Sequence, residues 1–61
     1  MYKLKQKLIL DSQFKFAQEV GITDRYMSEV QNGRPCSKIV AYCITKRYNM
    51  NLEIEDLFVR V

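Results

Sequence analysis

The chain of 61 residues has no histidine, two cysteines, one proline and two glycines, and no apolar run long enough to cross a membrane. Without histidine, the thiolates of Cys36 and Cys43 cannot complete a tetrahedral zinc site within one chain. The carboxylates fall mostly at helix starts, so no nucleophile is paired with a base, and neither an enzyme nor a bound cofactor or metal is expected. If both cysteines lie on one helix they are about 10 Å apart along its axis, too far to bridge. Free thiols in a reducing compartment are the simplest account, and a cysteine shared with a second subunit is the alternative. No signal peptide, low-complexity tract, linker or internal repeat is visible, which leads to the expectation of a cytoplasmic location.

A chain this short is one domain with a small core. It buries only about 60% of the surface it exposes when unfolded, so association with another copy would add usefully to its stability. With 48% hydrophobic and 28% charged residues its composition is globular. The net charge of +3 is unevenly spread: residues 1–47 hold nine Lys or Arg against four acids, and residues 48–61 hold Arg60 against Glu53, Glu55 and Asp56. Such a distribution suits a domain that sets one face against phosphates, and equally an ordinary solvated surface.

The most structured stretch is Gln13 to Asn32, which reads as two short helices joined by a turn at Gly21. Phe16, Ala17 and Val20 form one apolar patch, and Ile22, Met27 and Val30 form the patch that folds onto it. Ala17 marks the closest approach of the helices, and Gly21 the reversal where positive φ is needed. Ser12 is the expected N-cap of the first of these helices and Thr23 of the second, with Asp24 in its first turn. Asn32-Gly33 is a stop signal, followed by a turn at Arg34-Pro35. This unit is a helix-turn-helix, which lays its second helix in a DNA major groove.

Around it, Leu4, Leu8 and Ile9 in Met1–Leu10 have helical spacing and predict a first helix, with Lys3, Lys5 and Lys7 as a solvated face or loose phosphate contacts. Ser37 predicts a fourth helix to about Tyr48 that turns Val40, Ala41, Ile44 and Tyr48 to the core. Ile39, Tyr42 and Cys43 are left at its sides, against the first helix or another chain. A short fifth helix follows around Glu53–Leu57. The tail Phe58-Val59-Arg60-Val61 is β-prone, either frayed or paired across a two-fold axis. The fold expected from the residues is thus an all-α bundle of five helices, its tail either frayed or a short C-terminal strand.

Residues 12–58 resemble the Xre family of helix-turn-helix regulators, which contains phage repressors and Cro proteins. The resemblance rests on Phe16-Ala17, Val20-Gly21-Ile22, Met27, Val30 and Asn32-Gly33, continues at Tyr48-Asn49-Met50, and ends in Ile54-Glu55-Asp56-Leu57-Phe58. Phe14 and Lys15 depart from it, where members usually have a polar residue and then an acid. The resemblance implies a five-helix domain of the lambda repressor-like type, binding double-stranded DNA as a homodimer on an operator of two half-sites.

At 100° per residue, Met27 and Val30 lie on the buried side of the recognition helix and Arg25, Ser28, Glu29 and Asn32 opposite, with Asp24 and Tyr26 on the flanks. Thr23, Asp24, Arg25, Tyr26, Ser28 and Glu29 are therefore the candidates for base contact. Arg25 leads them because its fork matches O6 and N7 of guanine. Glu29 has two candidate jobs, accepting from cytosine or holding Arg25, and an exposed i,i+4 pair is the plainer reading. Tyr26 reads as a contact to a thymine methyl or a phosphate, or as a ring resting on the helix pair. Ser12, Gln13, Lys15, Asn32, Arg34 and Lys38 are the phosphate candidates; Ser12 also reads as a cap only, and Asn32 as a turn residue only. By resemblance, Gln13 and Asn32 match phosphate-contacting positions of the phage repressors. Ile39, Tyr42, Cys43, Phe58, Val59 and Val61 are the candidates for the dimer interface. The alternative is a protein-interaction module, an antitoxin or inhibitor, that has kept the fold and uses Ile39, Tyr42 and Cys43 on a protein partner.

Overall fold

The computed structural model describes all residues, Met1–Val61, in the order β1 (Tyr2–Leu4), α1 (Gln13–Val20), α2 (Asp24–Gln31), α3 (Lys38–Tyr48), α4 (Ile54–Leu57) and β2 (Phe58–Arg60). There are four helices and a two-stranded antiparallel sheet, not five helices. No helix is long and apolar enough to cross a membrane.

The correction lies in the first ten residues. Tyr2-Lys3-Leu4 alternates apolar and charged residues, a period-two pattern that competes with the helical spacing of Leu4 and Leu8. Pairing decides between them. Tyr2, Lys3 and Leu4 lie opposite Arg60, Val59 and Phe58 of β2. On its other side, Tyr2 exchanges two backbone hydrogen bonds of 2.7 Å with Cys36. Leu4 and Phe58 face each other across the ladder, both in the core. Phe58 is 2% exposed, so it belongs to this chain's interior and is withdrawn from the dimer candidates. The tail pairs within its own chain.

Beyond Lys5 the chain leaves the sheet and crosses towards α2 without regular structure. The side-chain amide of Gln31 supplies what a neighbouring strand would. Its Oε1 accepts from the Leu8 N–H at 2.8 Å, and its Nε2 donates to the Leu8 carbonyl at 3.1 Å. Leu8 is thereby turned into the core while Ile9 is left 88% exposed, opposite to the placing expected on a helix.

The other elements form where local chemistry directs them. Ser12, Thr23 and Ser37 each accept from a backbone N–H three residues on, which caps α1, α2 and α3. Lys46 closes the far end of α3 by donating to the carbonyls of Met50 (3.3 Å) and Leu52 (2.7 Å). The core joins Leu4, Leu8, Phe16, Ala17, Met27, Val30, Cys36, Ala41, Ile44, Ile54 and Phe58. Thr45 is buried with them and returns its hydroxyl to the Ala41 carbonyl at 2.8 Å, which leaves no orphan donor. Tyr48 is less buried than its place on the core stripe predicts, its ring edge-on to Phe16 at 6.4 Å.

Two outcomes follow from these contacts. Gln31→Leu strands the Leu8 N–H and carbonyl and should cost about 1–3 kcal/mol in denaturant unfolding, with faster hydrogen exchange at the Leu8 amide. The second concerns the free thiols. Burial pushes the Cys36 thiol above its ordinary value, against a smaller lowering by the N-terminal ammonium. The unfolded chain therefore releases this proton first, and the stability it confers is lost as pH rises past the ordinary thiol range. The pH-dependent loss in denaturant midpoint should be smaller in Cys36→Ala.

Candidate nucleic-acid interface

The geometry of the site is set by the turn between α1 and α2. Gly21 takes φ +96°, and its N–H and that of Ile22 both donate to the Ala17 carbonyl, at 2.9 and 3.0 Å. Thr23 then restarts the helix by accepting from the Tyr26 N–H at 3.0 Å. Ala17, 1% exposed, lies at the contact of α1 with α2, while Met27 and Val30 are fully buried beneath α2. The opposite side of α2 faces solvent, with the Arg25 side chain 91% exposed.

Along that side the charged groups form one connected set. Glu29 Oε1 accepts from the Arg34 guanidinium, and Glu29 Oε2 lies 3.6 Å from Arg25 Nε. The Arg34 guanidinium also lies over the Tyr26 ring, 5.0 Å from its centroid. Arg34 reaches this position because Gly33, at φ +103°, turns the chain back, and the Arg34 N–H donates to the Glu29 carbonyl at 2.9 Å. At the other end of α2, Gln13 Nε2 donates to Asp24 Oδ1 at 3.3 Å, which ties together the starts of α1 and α2.

Of the base-contact candidates, Arg25 pairs with Glu29, Glu29 and Tyr26 are joined through Arg34, and Asp24 is joined to Gln13. Thr23 is exposed with its oxygen engaged as a cap, and Ser28 is half-buried. Among the phosphate candidates, Ser12 is engaged as the α1 cap at 3.2 Å. Lys15, Asn32 and Lys38 are exposed, and no side-chain bond links them to the α2 cluster. Of the dimer candidates, Ile39, Tyr42, Cys43, Val59 and Val61 are exposed, on α3 and at the tail.

Two members of this surface are not foreseeable from helical spacing. Lys3 extends from β1 over the exit of α2: its Cε lies 3.3 Å from where a β-carbon on Gly33 would stand. It thus joins Arg34 at that corner, a neighbour that a helix over Met1–Leu10 does not supply. The Arg34–Tyr26 stack depends on the turn at Gly33, although the i,i+5 spacing of Glu29 and Arg34 around a stop signal hints at it.

No concavity interrupts the α2 face. Depressions of about 260, 340 and 380 Å³ lie at the start of α1, between the N-terminal segment and α4, and between α1 and α3. Comparison with protein-family models, with curated proteins and with solved structures finds no match.

The turn makes a direct prediction. A β-carbon at Gly21 meets no atom within 4 Å, so Gly21→Ala is penalised only through its positive φ. It should lower unfolding stability by about 1–2 kcal/mol, measured by denaturant titration.

Proposed function

We propose that this chain is a sequence-specific DNA-binding regulator of the helix-turn-helix type, acting in the cytoplasm as a dimer, with α2 in the major groove. The observation that carries the reading is the division of α2 into a face locked by Met27 and Val30 and a solvent face bearing Arg25, Tyr26, Glu29 and the returning Arg34. With its side chains an α-helix is about 10–12 Å across, which suits a major groove about 12 Å wide. Arg25 reads guanine, and its exposure leaves the guanidinium free to reach O6 and N7. Gln13, Asn32, Arg34 and Lys3 sit around the ends of α2 as phosphate contacts, with Ser12, Lys15 and Lys38 as further candidates. The resemblance to Xre regulators points the same way. No catalytic or cofactor role is part of the proposal.

A second reading is favoured by one feature. Ile39 is 77% exposed, Tyr42 and Cys43 continue an apolar line along the outer side of α3, and Met50 lies beside them past its end. This line serves as the dimer interface in the first reading and as the seat of a protein partner, for an antitoxin or inhibitor, in the second. Sedimentation of the purified chain separates them: a homodimer supports the first, and a monomer that co-purifies with a stoichiometric partner supports the second.

The DNA reading is tested by mobility shift on duplexes selected from a randomised pool. Arg25→Ala should reduce discrimination at one guanine by about 1–3 kcal/mol and leave non-specific affinity nearly unchanged. Inserting about five base pairs between half-sites should abolish dimeric binding, since the sites then face opposite sides of the duplex. If no duplex is enriched and Arg25→Ala behaves as the parent, the reading fails.

A further inference from the structure

The face of α2 offered to DNA holds an acid at its centre, and that acid is engaged. Glu29 takes the Arg34 guanidinium on one oxygen and lies 3.6 Å from Arg25 with the other. Arg34 is held more firmly, because the Tyr26 ring lies beneath it and its own backbone N–H is bonded to Glu29. The Glu29 side chain is 37% exposed and open to the solvent from which a duplex would approach. The contact is single-pronged, Arg34 Nη1 to Glu29 Oε1, and a carboxylate seated there competes with a phosphate oxygen for the same guanidinium N–H.

We propose that Glu29 is a specificity-determining residue that masks Arg34 from phosphate until the base pair beneath supplies the carboxylate with another partner. This inference rests on the DNA-binding reading above. On arbitrary sequence, Arg34 stays paired to Glu29, one phosphate contact is forgone, and the carboxylate repels the backbone. Non-specific affinity comes from such phosphate contacts, so it is kept low. At a site presenting cytosine, the N4 amino group donates to Glu29 and Arg34 is released to a phosphate. Guanine in its place presents only N7 and O6 acceptors to the carboxylate and is rejected.

The test measures affinity across a potassium chloride series for the parent, Glu29→Gln, Arg34→Gln and the double variant. Two duplexes are used: one selected by the parent from a randomised pool, and one unrelated. Glu29→Gln should bind the unrelated duplex about tenfold more tightly at low salt, with a log–log salt slope steeper by about 0.9, the increment for one further phosphate. Its selected-to-unrelated ratio should fall by at least that factor. Arg34→Gln alone should flatten the slope on the selected duplex and leave it unchanged on the unrelated one, a pattern that a merely structural role would not produce. In the Arg34→Gln background, Glu29→Gln should no longer steepen the salt slope.

Unchanged slope and ratio in Glu29→Gln, or effects of equal size with and without Arg34, overturn the masking role while leaving DNA binding intact. A parent that binds both duplexes equally, or neither, overturns the DNA reading and this inference with it. Thermal unfolding of each variant confirms that a folded chain is being compared, and the Arg34→Gln pattern stands independently of whether Glu29→Gln folds.

Discussion

Tyr2 is paired on both sides, hydrogen-bonded to Cys36 on one and facing Arg60 of β2 on the other, and the rest of the N-terminal structure depends on that. One edge carries the two hydrogen bonds to Cys36, and the other lies in the ladder with β2. This double pairing joins three distant parts of a short chain: its start, its end, and the turn before α3. It places Leu4 against Phe58 in the core, and it leads the following segment to Gln31, where Leu8 is fixed. A chain of this size has little apolar area to spend, so backbone pairing that orders the first ten residues also completes the core over α2. Lys3 reaches the exit of α2 by the same route.

The candidate interface follows from that arrangement and from the turn at Gly21. Met27 and Val30 leave α2 no freedom to rotate, so the exposed set on its other side is fixed by helical geometry. The electrostatic character of this face is more balanced than the chain's net charge suggests. Arg25 and Arg34 flank a single carboxylate, Lys3 stands at the exit of α2, and the helix starts are tied by Gln13 and Asp24. Exposed ion pairs of this kind contribute little to folding stability. Under the proposed DNA reading, their arrangement around one acid serves selectivity on a charged ligand.

Much of the molecule was legible in the sequence wherever the signal was local. Ser12, Thr23 and Ser37 mark the helix starts, Gly21 and Gly33 the reversals, and Phe16, Ala17, Met27 and Val30 the packing between α1 and α2. The N-terminal segment was not legible, because Leu4 and Leu8 satisfy a helical period while Tyr2 and Leu4 satisfy a strand period. The deciding partners, Arg60 to Phe58 and Cys36, lie far along the chain. Spacing alone assigns Phe58 to a dimer interface for the same reason: its core partner Leu4 belongs to a strand that spacing does not reveal. Burial of Thr45 escaped notice because a hydroxyl returned to the helix backbone behaves as a small apolar group. Within the site, the Arg25–Glu29 pair follows from spacing, but the stacking of Arg34 on Tyr26 needs the path of the chain through Gly33.

The central claim is that α2 occupies a major groove, and methylation protection by dimethyl sulfate tests it most directly. The reagent attacks guanine at N7 in the major groove and adenine at N3 in the minor groove. On a selected duplex the parent chain should protect guanine N7 in two patches about one helical turn apart and leave adenine N3 reactive between them, with Arg25→Ala restoring reactivity at one guanine in each patch. Full N7 reactivity on a bound duplex, or protection confined to adenine N3, would contradict it.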